Sequence, residues 1–165
     1  MDQITEILRR YPSQRKVAKK LLEYGIRVSE GIAYCGDIEQ TDSGIARACD
    51  VDRRVVRSTL EHISATPELD IVYSKLKPML SMVDMAESIN CSALVIVPTD
   101  ARLPGIIADV TTVLYNSGIV LRQAVIREEG EGGLSTLEIV VEGRLQDNVI
   151  MLLRSCRGVA SIIVK

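Results

Sequence analysis

Aromatic side chains are scarce in this sequence: five tyrosines, no phenylalanine and no tryptophan. Proteins that stack the bases of single-stranded nucleic acid need aromatic platforms, so that class is a poor fit. Histidine occurs once, as His62, and the four cysteines (Cys35, Cys49, Cys91, Cys156) are scattered with no C-x-x-C pair. No zinc-ligand spacing exists, no metal is expected, and the thiols read as reduced fillers of small core spaces. No apolar run approaches the roughly 20 residues of a membrane span, and nothing at the start resembles a signal peptide. The expectation is a soluble, cytoplasmic protein without a membrane partner. Neither sign of charge dominates, with 20 basic against 22 acidic residues, so no overall field demands a polyanion. A Ser/His/Asp or Cys/His set, a G-x-G-x-x-G fingerprint and a P-loop are all missing, so neither an enzyme nor a cofactor protein is expected.

What is present is ample apolar content, 47% of 165 residues, enough for one domain or two small ones. Ser13 to Tyr24 reads as a helix, with Val17, Leu21 and Leu22 at helical spacing and Gly25 as its stop. Arg9, Arg10, Arg15, Lys16, Lys19 and Lys20 surround it with no acid from Arg9 to Lys20, a solvated face or one that lies along phosphates. Ile26–Ser29 and Ile32–Cys35 flank Glu30-Gly31 as a short hairpin. In the next stretch Thr41 caps a short helix with Ile45, Ala46 and Cys49 on its apolar face. Asp50 takes a left-handed turn position, Val51 tucks in, and Asp52 caps a second helix with Val56, Leu60 and Ile63 inward. Arg53, Arg54, Arg57 and Ser58 are left outside near that helix's start. From Thr66 to Asn90 the pattern weakens. Glu68–Leu76 has helical spacing, Pro78 ends it, and Met79–Ile89 reads as a second short helix, the whole being a connector, part of a wing or a dimerising helix. Up to Lys77 there are 13 basic and 12 acidic residues, and from Pro78 onward 7 and 10, so the basic charge lies in the first part.

The second half centres on Pro98–Ile119. Ala93–Val97 is an apolar, β-branched run that reads as a buried strand, broken by Pro98, Pro104 and Gly105. Ile106, Ile107, Val110, Val113 and Leu114 then mark an amphipathic helix, with Gly118 at its left-handed C′ position. A strand, a glycine-ended loop and a helix whose first amides face that loop can hold a small anion, or simply pack closely. Ile119–Glu129 reads as a strand, Gly130–Gly133 as a turn, and Leu137, Ile139 and Val141 alternate with Glu138 and Glu142 in another strand. Val149, Leu152, Leu153 and Cys156 form a second helical stripe, and Val159–Val164 is a last strand. The order is β-α-β-β-α-β, a ferredoxin-like unit with both helices on one face of an antiparallel sheet.

The segment Thr41–Ile63 resembles a bacterial or archaeal helix-turn-helix with Thr, Ile-Ala, a tight turn with Val, then Arg-Arg and Val. This implies major-groove docking of the second helix, with Arg53, Arg54, Arg57 and Ser58 as DNA contacts, by base or by phosphate. Residues 93–165 resemble the ACT domain, a ferredoxin-like module that senses amino acids and other small metabolites. The match lies in the first strand, the acid-containing loop, Gly105-Ile-Ile-Ala and Asn116-Ser-Gly-Ile119. The resemblance nominates Asp100, Arg102, Leu103, Pro104, Gly105 and Ile106 for an effector, with Asn116 and Val120 at the helix end. Asp100 would take an α-ammonium and the amides after Pro104 a carboxylate; the family's acid usually lies three residues before the glycine and here lies five before. The chain as a whole looks like the small regulators of amino-acid metabolism, found mainly in archaea, that carry a C-terminal ACT domain. That implies an α+β protein: a winged-helix-like helix-turn-helix domain at 1–78, a connector at 79–92 and the ACT unit at 93–165. The expected partners are an amino-acid effector, duplex DNA and a second copy of the chain, the effector changing the roughly 34 Å spacing of paired recognition helices. The alternative is an adaptor that senses a metabolite and docks on a biosynthetic enzyme without DNA.

Overall fold

The structure, a computed structural model, describes residues 6–128 and 135–165. The expected turn at Gly130–Gly133 lies outside them. The chain divides into two compact units, the first ending at Leu80 and the second beginning at Ser81.

The first unit contains α1 (Pro12–Glu23), β1 (Arg27–Ser29), β2 (Ile32–Cys35), β3 (Ile38–Gln40), α2 (Asp42–Cys49), α3 (Arg53–Ala65) and α4 (Pro67–Tyr73). Pro12 opens α1, where its missing N–H costs nothing. Gly25, at φ +62°, closes it, with Ile26 N–H donating to the Leu21 carbonyl at 2.8 Å and Gly25 N–H to Leu22 at 3.2 Å. The same closure recurs after α2 with Asp50 (φ 49°, ψ 59°) in place of glycine: Val51 N–H reaches the Ala46 carbonyl at 3.1 Å. The side chain of Thr41 accepts from Gly44 N–H at 3.1 Å, and that of Asp52 accepts from Arg54 N–H at 2.7 Å. Each satisfies one of a helix's orphan amides and fixes where α2 and α3 begin. Val56, Leu60 and Ile63 are buried completely against Val17, Leu21 and Leu69. Tyr73, also fully buried, donates from its hydroxyl to the Ala18 carbonyl at 2.9 Å and ties α4 to α1.

Glu30 (φ 52°) and Gly31 (φ 74°) both take positive φ, the requirement of a tight two-residue hairpin. The expected hairpin gains a third strand: β3 pairs with β2 around a second turn at Gly36, giving an antiparallel sheet of order β1-β2-β3. This sheet lies between α1 and α2 in the chain. The segment after α3, read as connector or wing, holds α4 and no strand among its described residues up to β4. Met79–Ile89 is not a helix either. It is a turn followed by one short 3-10 turn, Glu87–Ile89.

The second unit runs β4 (Cys91–Pro98), α5 (Ile106–Asn116), β5 (Leu121–Glu128), β6 (Ser135–Glu142), α6 (Asp147–Arg154) and β7 (Val159–Val164). The strands are antiparallel in the order β5-β6-β4-β7, with Leu94 opposite both Ile139 and Val164. That order, with the connections β-α-β-β-α-β, is the ferredoxin-like fold. Ile106, Val110 and Leu114 of α5 and Val149 and Leu153 of α6 pack on one sheet face, over Leu94, Ile96, Ile139 and Ile162. Leu152, expected in the buried stripe, is half exposed. On the opposite face Val83 and Ala86 cover Ala93 and Val140. That covering explains why Val140, in a polar position of the expected alternation, is buried too.

Candidate effector cleft and arginine face

In the second unit the end of β4, the loop to α5 and the first turn of α5 curve over the ends of β5 and β6, leaving a cleft of about 600 Å3. Two local features shape the loop. Gly105 takes φ +97° as the N-cap of α5, with no atom within 4 Å of where a Cβ would stand. Glycine is therefore demanded there by backbone conformation and not by crowding. The carboxylate of Asp100 accepts from Arg102 N–H at 2.9 Å, folding the loop on itself. At its start, Thr99 N–H donates to the Gly158 carbonyl at 2.8 Å and fastens the loop to the α6–β7 turn.

The cleft walls are mainly hydrocarbon, including Ile96, Pro98, Leu103, Ile106 and Leu137. Polar character comes from Arg102, from Ser135 and Thr136, and from the first amides of α5, which lack partners within their own helix. Such a surface suits a small molecule with an apolar body and an anionic end near the positive end of α5. Of the residues expected at an effector site, Arg102, Leu103, Pro104, Gly105 and Ile106 line this cleft, and Asp100, Asn116 and Val120 do not. Asp100 accepts a loop amide and stands outside the cleft lining. Asn116 ends α5, about 15 Å along the helix from Ile106, and Val120 is half exposed beyond Gly118. Ile126, Ser135, Thr136 and Leu137 were not foreseen, because they reach the cleft from strands that a linear reading cannot bring alongside the loop.

In the first unit, Arg53, Arg54, Arg57 and Ser58 are exposed on the first turns of α3 and line a second cleft, of about 430 Å3, with Asp42 and Glu61. Their surroundings differ. Arg53 and Arg54 make no side-chain ion pair or hydrogen bond among the described residues. Arg57 donates to the Gly31 carbonyl at 3.1 Å and lies 3.6 Å from Asp42 and 3.9 Å from Glu61. Ser58 accepts from Gln14 at 3.0 Å, and Gln14 also meets His62 Nδ1 at 2.9 Å, so this pair stitches α1 to α3. His62 is thus a packing residue, edge-on to Tyr11 with ring centroids 5.6 Å apart. Among the described residues no cluster of three potential metal ligands occurs, and no helix is long and apolar enough to cross a membrane.

Fold and clefts together define a two-unit α+β protein whose ferredoxin-like half carries a largely apolar cleft and whose helical half carries an arginine face. No known protein family and no curated protein matches the sequence. Among solved structures, 46% of the chain aligns with 96% of the ACT domain from GTP pyrophosphokinase of Chlorobium tepidum, at 19% identity and a TM-score of 0.36. A homoserine dehydrogenase from Thiobacillus denitrificans aligns over 74% of this chain at 21% identity and a TM-score of 0.36, and the chain spans only 26% of that enzyme. Identity and TM-score are both low, and the fold assignment rests on the strand order itself.

Proposed function

We propose that the chain is a DNA-binding regulator that responds to a small effector, the ferredoxin-like unit acting as an ACT-type sensor and α2–α3 as a helix-turn-helix. The observation that carries the reading is the arginine pair at the start of α3. Arg53 and Arg54 stand exposed, without side-chain partners among the described residues, on the first turn of a helix whose angle to α2 is set by Asp50 and Asp52. The first turn of the second helix is where such motifs meet the major groove. The cleft beside Gly105 supports the sensing half, with Arg102 and the α5 amides toward an effector's carboxylate and the hydrocarbon walls around its side chain.

The test is a salt titration of binding to duplex DNA by fluorescence anisotropy. The unmodified chain should bind with an affinity that falls steeply as salt rises. In Arg53→Ala and Arg54→Ala the slope of log K against log salt should be shallower by about 0.9 for each phosphate left unneutralised. No salt-dependent binding by the unmodified chain would overturn the DNA half. For the sensing half, a thermal-shift panel of amino acids and related carboxylates should give one selective stabilisation, about 2.7 kcal/mol at 100 times the dissociation constant. Arg102→Ala should diminish it. The adaptor reading keeps one observation in its favour, the near balance of 13 basic and 12 acidic residues up to Lys77. Co-purification with a biosynthetic enzyme, and no duplex binding, is its signature.

A further inference from the structure

The Arg57 guanidinium is held by three groups from three elements. Nη1 donates to the carbonyl of Gly31 in the β1–β2 turn at 3.1 Å, and Nε lies 3.6 Å from the Asp42 carboxylate of α2 and 3.9 Å from that of Glu61 in α3. Gly31 is gripped from its other side, its N–H donating to the Ser64 hydroxyl of α3 at 2.9 Å. Asp42 and Glu61 face the same cleft as Arg53 and Arg54. A phosphate entering there meets two carboxylates as well as two arginines. With Arg57 in place the five charges leave one net positive; without it they cancel.

We infer that Arg57 is a positioning residue of the DNA-facing surface: it offsets part of the negative charge of Asp42 and Glu61 and pins the β1–β2 turn, while Arg53 and Arg54 meet the phosphates. The inference rests on the DNA-binding reading above and gives that site a division of labour. Arg57→Ala uncovers two carboxylates beside the phosphate path and releases the Gly31 carbonyl. Its loss of affinity is therefore repulsion and disorder, and removing the carboxylates reverses the first of these. The absence of a direct bond to phosphate could not be reversed that way.

The experiment is anisotropy on duplex DNA with the full chain, comparing Arg57→Ala, Asp42→Asn with Glu61→Gln, and the triple variant, each checked for folding by circular dichroism. Arg57→Ala alone is expected to weaken binding about threefold or more, the scale of exposed charge pairs. The triple variant should fall below the Asp42→Asn/Glu61→Gln protein by a smaller factor than Arg57→Ala falls below the unmodified chain, because only the contribution of the freed turn remains. A triple variant weaker than that double variant by the same factor would mean that Arg57 touches DNA directly, and would overturn the inference. Hydrogen exchange supplies a readout independent of DNA. Arg57→Ala should hasten amide exchange in peptides covering Val28–Ala33, and unchanged exchange would refute the pinning. If the unmodified chain shows no salt-dependent duplex binding, the DNA reading itself falls, and the exchange result alone then judges what Arg57 does.

Discussion

Replacing Gly158 by alanine probes how firmly the cleft loop is held. Gly158 sits at φ +82°, and a Cβ there would stand 2.9 Å from Cγ1 and 3.0 Å from Cδ1 of Ile106. Gly143, at φ +70°, has nothing within 4 Å of its own Cβ position. Both alanines incur the left-handed backbone penalty, about 1–2 kcal/mol. Only Gly158→Ala must also displace Ile106, which is nearly buried among Val110, Leu114 and the sheet and is stiff at χ1 because it is β-branched. An off-rotamer side chain costs about 0.5–1.5 kcal/mol, so Gly158→Ala should be destabilising by that much more than Gly143→Ala. Urea unfolding followed by circular dichroism measures the difference. Peptide-resolved hydrogen exchange locates it: the Gly158 carbonyl accepts from Thr99 N–H, so protection across Thr99–Ile106 should fall in Gly158→Ala and not in Gly143→Ala. Equal losses of stability in the two variants, or protection falling equally in both, would refute the close approach at Ile106.

Three further outcomes follow from the first unit and the thiols. Burial pushes the Tyr73 phenol up to about 12, against about 10 when unfolded, so the folded state holds this proton more tightly. Its contribution is intact below pH 10 and is lost as pH rises through 12, on the order of 2–3 kcal/mol in all. Tyr73→Phe should therefore lose about 1 kcal/mol at pH 7 with its hydrogen bond, and should decline less than the unmodified chain between pH 10 and 12 in urea titrations; parallel curves would contradict this. Asp52→Ala removes the cap of α3 and should lower stability by about 1 kcal/mol in the same assay. Burial also raises the thiol pKa of Cys49 and, with Asp109 nearby, of Cys156. Both should react with iodoacetamide more slowly than Cys35 and Cys91 when peptides are quantified by mass spectrometry, and early labelling of Cys49 would count against its burial.

Local chemistry was the legible part of this chain. Thr41 and Asp52 accept from amides two or three residues away and Asp50 takes a left-handed turn itself, so their type and spacing are enough to place the ends of α2 and the start of α3. Gly118 likewise closes α5 as expected, with Ile119 N–H on the Leu114 carbonyl at 3.0 Å. What stayed hidden depended on partners distant in sequence. The short β3 has no apolar alternation and exists because β2 offers it an edge. Met79–Ile89 carries apolar residues at helical intervals, yet Val83 and Ala86 are spent on covering the open face of the second sheet. At the cleft, the glycine and the residues around it were visible as a loop before a helix. The bond from the Arg102 amide to Asp100 was not, since a carboxylate that caps its own loop and one left free look alike in sequence.

The strand order of the second unit also sets a schedule. β4, the first strand to be synthesised, sits in the interior of the sheet, and its neighbours β6 and β7 are made later; seventy residues separate Leu94 from its partner Val164. Pairings this distant are slow to close, because the intervening chain must be ordered before the contact is rewarded. Until residues 159–164 leave the ribosome, Leu94–Val97 presents an unpaired, β-branched edge of the kind that recruits other chains. A nascent chain stalled before β7 is thus the form of this protein most exposed to aggregation, and the one for which a chaperone would matter most.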